Sequence, residues 1–476
     1  GAGKMNVMAE VMVPWIQEQE KKGKGLKDAR WSTRFHIMPP VGWLNDPNGL
    51  CYYNGDYHFF FQYAPFDAKG GLKFWGHMKS KDMLHWTYEG VPLFPDSPYD
   101  CHGVYSGSAF TEDGQMELFY TGNVKLDGDY DYVLDGREAN VIYTASQDGI
   151  HFTAKKCLLT SADYPADYTR HVRDPKVFRE NGRYHMLLGG RKKNDAGAAL
   201  LYESEDKMHW TLKEEFQTAD TFGYMWECPD LFSLEENKVL SVSPQGLARE
   251  AFKNQNVYQS GYFLLKDGKT PDADMFVEWD MGFDFYAPQT FLDEKGRRIL
   301  VGWAGLPDVE AEYQNPTVAL GWQHVLTTPR ELSARNGRVV QTPVEEVAVL
   351  RKKEILVECG KETEISGGCF DLELTVFSDA PMRITLEKEC VIGYQNGVFT
   401  LEFQSGADTD IGCGRKTRRA RIEHLREVRI LSDESLLEIY VNGGETVFTT
   451  RYYPDGDNRS IRVEADGTGK IFELVL

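Results

Sequence analysis

Three carboxylates stand in short contexts that could support acid–base chemistry. Asp46 follows Asn45, Asp174 follows Arg173, and Glu227 follows a tryptophan. The sequence shows neither the spacing of a metal site nor a nucleophilic serine or cysteine elbow. Carboxylates without such partners are typical of glycoside hydrolysis, in which one carboxyl protonates the leaving oxygen and another attacks or activates water. The three residues are therefore candidates for a glycosidase site, provided that the fold brings them together.

The neighbours of each carboxylate indicate different roles. Hydrogen bonds from the Asn45 amide would keep Asp46 ionised, as a nucleophile requires. An apolar setting beside the tryptophan would raise the pKa of Glu227, as a general acid requires. The Arg173 cation would hold Asp174 charged and oriented, which suits a binding group better than a proton donor.

A repeat of about sixty residues supplies the elements that must position these side chains. Each copy reads as a small residue or proline, two residues, an apolar residue, a turn and an apolar strand, and successive copies start 60, 68, 54 and 59 residues apart. Five copies at this spacing predict an all-β fold, a five-bladed β-propeller with four short antiparallel strands in each blade. The copies start at Pro47, Gly107, Pro175, Pro229 and Pro288.

The residues just before each start occupy equivalent positions at the entry of the innermost strands. These strands line the central channel of a propeller, so residues far apart in sequence are expected to meet in one axial pocket. Three of the five entries carry a carboxylate. The five pairs are Asn45–Asp46, Tyr105–Ser106, Arg173–Asp174, Glu227–Cys228 and Tyr286–Ala287.

A second repeat, Ser-x-Asp-x-x-His followed by an aromatic residue, begins at Ser80, Ser146 and Ser204. A polar corner over a packed aromatic ring explains this pattern better than a catalytic histidine does. We therefore expect these histidines to be structural.

The pattern changes after the last repeat. A threonine and a proline at 342–343, with glutamate close behind, predict a capped linker helix. Alternating strands with frequent turns then predict a β-sandwich. A basic run at 415–421 is expected on a solvated strand or sheet edge. The expected divisions are an N-terminal, helical segment over 1–33, the propeller over 34–335, the linker helix over 336–353 and the sandwich over 354–476.

Composition excludes several classes of function. The 476 residues carry 53 basic and 73 acidic side chains, a net charge of −20, which argues against binding to nucleic acid or to an anionic membrane surface. No stretch approaches the roughly 20 apolar residues of a membrane span. The eight scattered cysteines and the short apolar runs at the N-terminus favour a reducing cytoplasm over secretion. A monomer and a homodimer are both compatible with the sequence.

The motifs around the carboxylates resemble those of glycoside hydrolase family 32, the β-fructofuranosidases, and are most similar to its bacterial sucrose-6-phosphate hydrolase, sucrase and invertase branch. Trp43–Gly49 is similar to the family's sucrose-binding box, Arg173–Pro175 to its R-D-P motif and Glu227–Cys228 to its E-C motif. The similarity extends from Arg34 to Leu476. Further similar segments are Phe61–Tyr63, Trp75–His77, Tyr105–Ser108, Phe285–Gln289, Val301–Trp303 and Leu437–Asn442.

The resemblance implies that Asp46 is the nucleophile, Glu227 the acid/base and Asp174 the transition-state stabiliser. It implies retaining hydrolysis of the fructosyl–glucosyl bond of sucrose, sucrose 6-phosphate or both, without cofactor or metal, by two carboxyls roughly 5–5.5 Å apart. The implied substrate-binding residues are Trp43, Asn45, Gln62, Trp75, Tyr105, Ser106, Arg173, Tyr286 and Trp303.

Other functions stay open at this point. An exo-acting hydrolase of short fructans, an inverting arabinan-cleaving propeller and a non-catalytic carbohydrate-binding propeller share parts of the pattern. The expected partner is in every case a small sugar. No basic segment that could recognise a sugar phosphate can be located from the sequence.

Overall fold

The computed structural model describes residues 7–406 and 408–476. Residues 1–6 of the expected N-terminal segment lie outside the described residues. The first element is helix α1 (Val7–Lys22). Met12 and Ile16 of α1 pack against Phe74. No helix of these two ranges has the length and the apolar run that a bilayer crossing needs. Short 3₁₀ helices span Leu26–Asp28, Ser161–Asp163, Ala273–Met275, Pro316–Leu320, Glu345–Leu350 and Asn442–Gly444.

Residues 42–343 form five antiparallel sheets in chain order. The strands are β1 (Gly42–Tyr53), β2 (Asp56–Ala64), β3 (Phe74–Ser80), β4 (Thr87–Leu93), β5 (Val104–Glu112), β6 (Gln115–Lys125), β7 (Arg137–Ser146), β8 (Lys156–Leu159), β9 (Tyr168–Glu180), β10 (Arg183–Lys192), β11 (Gly197–Ser204), β12 (Thr211–Phe216), β13 (Met225–Leu234), β14 (Asn237–Gln245), β15 (Gly261–Leu264), β16 (Val277–Glu278), β17 (Tyr286–Leu292), β18 (Arg298–Trp303), β19 (Trp322–Gln323), β20 (Arg330–Arg335) and β21 (Arg338–Pro343). The first four sheets hold β1–β4, β5–β8, β9–β12 and β13–β16, and the fifth holds β17, β18, β20 and β21.

The first strand of each sheet lies next to the first strands of two other sheets. β1 contacts β5, β5 contacts β9, β9 contacts β13, β13 contacts β17, and β17 contacts β1. The short β19 pairs in parallel with β1, so the chain returns to the first sheet before it completes the fifth. Aromatic and aliphatic side chains fill the space between neighbouring sheets, as Phe60, Trp75 and Tyr120 do between the first and the second.

All five first strands share a β-bulge. In each of these strands, two consecutive residues next to the repeat start are not paired with the second strand. A bulge of this kind changes the direction in which the side chains point. At the bulges of β9, β13 and β17 one residue has a positive φ, with values of 66° for Asp174, 46° for Cys228 and 52° for Ala287. The interruptions lie between Leu44 and Pro47, Val104 and Gly107, Arg173 and Lys176, Glu227 and Asp230, and Tyr286 and Gln289.

The Ser-x-Asp-x-x-His repeat forms the same corner three times. In the first copy, Asp82 accepts hydrogen bonds from the backbone N–H groups of Leu84 and His85, both at 2.9 Å, and lies 2.7 Å from Nδ1 of His85. Asp148 and Asp206 make the equivalent contacts in the other two copies. The prediction that these histidines are structural is confirmed.

Residues 351–474 form two further sheets of six antiparallel strands each. Their strands are β22 (Arg351–Leu356), β23 (Glu362–Ile365), β24 (Cys369–Val376), β25 (Met382–Leu386), β26 (Cys390–Gln395), β27 (Val398–Phe403), β28 (Thr417–Arg421), β29 (Glu427–Asp433), β30 (Leu436–Val441), β31 (Thr446–Arg451), β32 (Arg459–Glu464) and β33 (Gly467–Leu474). One sheet has the order β22-β33-β24-β29-β30-β31 and the other β23-β32-β25-β26-β27-β28. Phe370, Ile384, Phe399 and Ile439 are fully buried in their common core.

The basic run at 415–421 differs from its expectation at two positions. Arg415 is buried, and its guanidinium binds both carboxylate oxygens of Asp284 at 2.9 Å and lies 4.4 Å from the ring of Tyr313. Arg418 is also buried and donates to Asn256 at 2.7 Å. These arginines join the six-stranded sheets to the segments beside the fourth and fifth sheets, so the expectation of a solvated face was wrong for both.

The expected linker helix over 336–353 was also wrong. β21 continues to Pro343, because Thr342 pairs with Glu331 of β20 instead of capping a helix. Only the short 3₁₀ segment Glu345–Leu350 is helical, and β22 begins directly after it. Pairing with β20 outweighed the local capping pattern, and it buries Val339 and Val340 of β21.

Candidate active site

A cavity of about 320 Å³ opens where the bulges of the first strands of the five sheets face one another. Eleven of the twelve residues predicted from the sequence line this cavity, and the twelfth, Trp75, does not. The eleven are Trp43, Asn45, Asp46, Gln62, Tyr105, Ser106, Arg173, Asp174, Glu227, Tyr286 and Trp303.

A hydroxyl and an amide hold Asp46, in addition to the Cys228 thiol described below. The hydroxyl of Ser106 donates to Oδ2 at 2.6 Å, and the amide of Asn45 donates to Oδ1 at 3.0 Å. The indole N–H of Trp43 donates to Asn45 Oδ1 at 2.7 Å, which orients that amide. Burial raises the pKa of Asp46, the two donors oppose that rise, and the charge of Glu227 adds to it. The predicted donor, Asn45, is present and Ser106 adds a second one, but burial outweighs both.

Asp174 shares a thiol with Asp46. The backbone N–H of Cys228 donates to Asp174 Oδ2 at 2.9 Å, and the Cys228 Sγ lies 3.5 Å from the same oxygen and 3.6 Å from Asp46 Oδ2. Burial raises the pKa of Asp174 to about 7, although Arg173 lowers it. The charge of Arg173 favours the ionised form of Asp174, as the sequence predicts, and burial opposes that effect.

Glu227 is surrounded by polar donors instead of the apolar setting that its sequence neighbours suggested. Its Oε2 forms an ion pair with the Arg173 guanidinium. Its Oε1 accepts hydrogen bonds at 2.6 Å from both the Tyr286 hydroxyl and the Gln245 amide. Trp226 points away into the core, where its ring packs against Phe263. The two carboxyl oxygens are thus fixed in place by three side chains.

Aromatic rings close one side of the cavity. Trp43 and Trp303 meet edge to face with their centroids 5.7 Å apart, and His324 packs against both. Within the described residues, Nε1 of Trp303 and both ring nitrogens of His324 are buried without a hydrogen-bond partner. Aromatic rings beside carboxylates are the usual composition of a sugar-binding subsite, because C–H faces of a sugar stack on rings while its hydroxyls bind polar groups.

Family models match almost the whole chain. The description "Glycosyl hydrolases family 32 N-terminal domain" matches residues 36–343, and "Glycosyl hydrolases family 32 C terminal" matches residues 339–475. The chain belongs to glycosyl hydrolase family 32. It is accordingly a glycoside hydrolase of the β-fructofuranosidase type.

Individual relatives of this family 32 enzyme agree with that membership. The chain is 38% identical to a sucrose-6-phosphate hydrolase of Bacillus subtilis over 96% of each protein, and 36% identical to a raffinose invertase of Escherichia coli over 91% of this chain and 92% of the relative. The solved sucrose-6-phosphate hydrolase of Lactobacillus gasseri superposes with a TM-score of 0.85 at 29% identity, covering 97% of this chain and 96% of that one. A mutant Bombyx mori GH32 beta-fructofuranosidase solved in complex with sucrose superposes with a TM-score of 0.82 at 27% identity, covering 97% of this chain and 98% of that one.

Trp75 does not line the cavity of this family 32 enzyme, so its expected direct contact with substrate is corrected. Its side chain is fully buried between the first and second sheets, against Phe60 and Tyr120. Its indole N–H donates to the carbonyl of Tyr105 at 3.0 Å, beside the bulge of β5. Trp75 therefore supports the backbone that carries Tyr105 and Ser106.

Four lining residues were missed by the sequence reasoning: Lys73, Gln245, Pro307 and Asp308. Gln245 is the last residue of β14, opposite Met225 of β13, and a search of the second strands as well as the first would have found it. Lys73 lies in a loop with its ammonium 4.8 Å from the Trp43 ring, and burial lowers its pKa to about 8 against the opposing effect of Asp46. Neither Pro307 nor Asp308 follows from the repeat, because both lie between β18 and β19.

Proposed function

We propose that this enzyme is a retaining β-fructofuranosidase that hydrolyses the fructosyl–glucosyl bond of sucrose and sucrose 6-phosphate through a covalent fructosyl-enzyme. The observation that carries this proposal is the arrangement of three carboxylates from three separate sheets in one cavity, each held by a different set of donors. The sucrose-6-phosphate hydrolases among its relatives and the sucrose complex of a structural neighbour support the choice of substrate.

In the first step, Asp46 attacks the anomeric carbon of the fructosyl unit and the bond from this carbon to the glycosidic oxygen breaks. Glu227, protonated, gives its proton to that oxygen, and the glucosyl half leaves. The donors Ser106 and Asn45 orient Asp46 and favour its ionised form, which is the attacking form. Asp46 and Glu227 have no hydrogen-bond donor in common, which supports assigning them different functions.

In the second step, Glu227 accepts a proton from water while the water oxygen attacks the same carbon and releases Asp46. Tyr286 and Gln245 hold Glu227 in place for both proton transfers. Asp174 has the backbone N–H and the thiol of Cys228 on one oxygen only, which leaves the other oxygen for fructosyl hydroxyls. We assign it the role of stabilising the positively charged, oxocarbenium-like transition state.

We also propose that the five sheets close into a ring. The ring of contacts among the five first strands supports a five-bladed β-propeller, and the facing six-stranded sheets support a β-sandwich behind it. We place the boundary between the two at the end of β21, close to residues 339–343, where the two family matches overlap. The free state of all eight cysteines fits the reducing cytoplasm in which we place the enzyme.

The test of the function is the Asp46→Asn variant. The amide cannot attack as a carboxylate does, so kcat for glucose release from sucrose should fall by about 10⁴-fold while the fold is retained. A retaining course predicts that the wild-type enzyme, quenched during turnover, carries one fructosyl unit on the peptide containing Asp46, visible by mass spectrometry, and that the Asn variant carries none.

Near-wild-type turnover by Asp46→Asn would exclude Asp46 as the nucleophile. Binding of sucrose by a wild-type protein that does not release glucose would instead identify a non-catalytic sugar-binding protein. Faster hydrolysis of kestose than of both sucrose and sucrose 6-phosphate would identify a fructan hydrolase.

A further inference from the structure

We propose that the five first strands carry a second site, at the end opposite the cavity that holds Asp46, and that this site binds a small oxyanion that carries a proton, namely hydrogen phosphate. The charged residues of the site are Lys176, Arg298 and Asp230. This inference goes beyond the proposed function and does not depend on it.

The second site lies in a cavity of about 510 Å³ that residues of all five first strands line, as they line the first cavity. The course of the strands places it at their other end. β1 supplies Asp46 to the first cavity and Cys51 to the second, and β13 supplies Glu227 to the first and Asp230 to the second. Among the described residues, none lines both cavities.

Gln289 separates the two cavities. It belongs to β17, and its amide donates to the carbonyl of Gly107 in β5 at 2.8 Å, although β1 lies between these two strands in the cycle of first strands. Along β17, Gln289 lies between Tyr286, which lines the first cavity, and Phe291, which lines the second. A ligand of the second cavity therefore enters at the rim, where Leu292 is exposed.

Two cations share one carboxylate inside the second cavity. Lys176 Nζ lies 3.9 Å from Asp230 Oδ2, and these side chains are only 10% and 2% exposed. Arg298 has no ion pair within the described part of the chain, and its guanidinium lies 4.9 Å from the ring of Phe232. Burial lowers the pKa of both cations, and Asp230 opposes that effect. Because buried cations with too few anions are costly, the cavity lacks one negative charge.

The other two cations of this cavity already have carboxylates. Arg179 pairs with Glu112 at 2.9 Å, and Lys238 lies 4.0 Å from Glu180. The missing negative charge therefore belongs to the two cations that share Asp230.

Thr290 brings these charged groups together. Its backbone N–H and its hydroxyl donate to Asp230 Oδ2 at 2.9 and 2.7 Å. Its carbonyl accepts a hydrogen bond from Lys176 Nζ, and its hydroxyl oxygen accepts one from Arg298 Nη1 at 3.4 Å. The three charged side chains all line the cavity. One small ligand can consequently reach all of them.

The unpaired polar atoms indicate a ligand that both accepts and donates hydrogen bonds. Within the described residues, Arg298 Nε, a donor, and Asp230 Oδ1, an acceptor, are buried without a partner. Phosphate oxygens match the planar fork of a guanidinium group, and the P–OH of hydrogen phosphate can donate to a carboxylate. Sulfate has a similar shape and charge but no proton at neutral pH, so it would face Asp230 with oxygens alone. A water molecule would make the hydrogen bonds but would not supply the missing charge.

The experiment is isothermal titration calorimetry at pH 7 and constant ionic strength, with orthophosphate and sulfate as the two probes. The proteins are the whole chain as wild type, Arg298→Gln, Asp230→Asn and Arg183→Gln. One orthophosphate should bind each wild-type chain, at least about 5-fold more tightly than sulfate. Arg298→Gln should weaken the binding of both anions by about 10-fold, because it removes a charge-assisted hydrogen bond.

Asp230→Asn separates the charge of the ligand from its proton. An amide can donate to either anion, so the advantage of orthophosphate over sulfate should fall below about 2-fold. Arg298 is only partly buried, so Arg298→Gln still tests the site if Asp230→Asn does not fold. Arg183→Gln is the matched control: the Arg183 side chain is 45% exposed and pairs with Glu203 and Glu205, and its loss should leave both affinities unchanged.

A further titration distinguishes the two cavities. The Asp46→Asn variant saturated with sucrose should bind orthophosphate as tightly as it does without sucrose. Weaker binding in the presence of sucrose would place the anion in the first cavity and overturn the second site.

The remaining outcomes also decide the proposal. A wild type that binds no orthophosphate, or an Arg298→Gln variant that binds it as tightly as the wild type, would overturn the site. Equal affinities of the wild type for the two anions would overturn the assignment to a protonated oxyanion. Failure of the wild type to hydrolyse sucrose would refute the proposed function and leave the result of the orthophosphate titrations standing.

Discussion

At the scale of single residues, burial competes with hydrogen bonding at the attacking carboxylate. The hydrogen bond from the Ser106 hydroxyl, at 2.6 Å, is the shortest that Asp46 accepts, and together with the Asn45 amide it opposes the rise in pKa that burial causes. Because Asp46 must be ionised to attack, activity at low pH depends on these donors. We therefore expect the loss of Ser106 to raise the lowest pH at which the enzyme works.

The Ser106→Ala variant tests that role. Loss of the donor raises the pKa of Asp46, so the acidic limb of the kcat/KM profile should move to higher pH by about 1 unit, because a hydrogen bond to a charged group contributes about 1.5–3 kcal/mol. The measurement is kcat/KM for sucrose between pH 4 and pH 8. Ser108→Ala is the control, since the Ser108 hydroxyl donates to the carbonyl of Pro175 and does not contact Asp46. Equal shifts in both variants would assign the effect to β5 as a whole and not to the hydrogen bond.

At the scale of elements, the recurrent bulge is the feature that makes the site. Regular strands would alternate the side chains of each pair between two faces, whereas the bulges let Asn45 and Asp46, or Tyr105 and Ser106, line the cavity together. β1 has a second bulge after Asn48, where Gly49 has a φ of 56°. A Cβ at Gly49 would lie 2.6 Å from the ring of Phe60 and 3.0 Å from that of Trp75.

Gly49→Ala should consequently destabilise the enzyme by about 2–4 kcal/mol, because it combines left-handed backbone strain with overpacking. Gly114→Ala isolates the strain: Gly114 has a φ of 76° in the β5–β6 turn and nothing within 4 Å of its would-be Cβ. It should cost only about 1 kcal/mol. The midpoints of thermal unfolding of the two variants check the comparison, and equal shifts would contradict the steric part of the argument.

The sequence allowed the first strands to be located because turn residues and apolar runs recur at a nearly constant spacing. It also allowed the two residues before each repeat start to be predicted as candidates for the site. Eleven of the twelve predicted site residues line the cavity. Trp75 could not be assigned in the same way. Both faces of the sheets are buried between neighbouring sheets, so the alternation along β3 does not tell which side chain reaches the cavity. Lys73 and Asp308 lie on loops whose course depends on tertiary packing.

At the scale of the whole molecule, buried ion pairs join parts of the chain that are far apart in sequence. The local sequence does not predict these pairs. Arg415, which lies just before β28, binds Asp284, which lies just before β17. The basic run at 415–421 by itself predicts a solvated surface, because the acidic partner of Arg415 lies 131 residues away in the sequence.

His36 forms the second of these junctions. Its Nδ1 lies 2.7 Å from Asp433, and its Nε2 lies 2.6 Å from Glu438 and 2.7 Å from Thr328. Burial by itself lowers the pKa of His36, but the hydrogen bonds to Asp433 and Glu438 outweigh it and raise the pKa to about 9. The segment before β1, the segment before β20 and the strands β29 and β30 are thus held by one buried imidazolium and its carboxylates.

This junction makes stability depend on pH in a definite direction. The folded protein binds the His36 proton more tightly than the unfolded chain, whose histidine pKa is about 6.5, so the stabilisation is complete below pH 6.5 and is lost as the pH rises through 9. His36→Gln leaves two carboxylates without their imidazolium and should cost about 3–5 kcal/mol at pH 6. The difference in thermal midpoint between wild type and variant should narrow steadily from pH 6 to pH 9.5, because the wild type loses there the charge that the variant never had. A difference that stays constant over this range would show that His36 acts through packing alone.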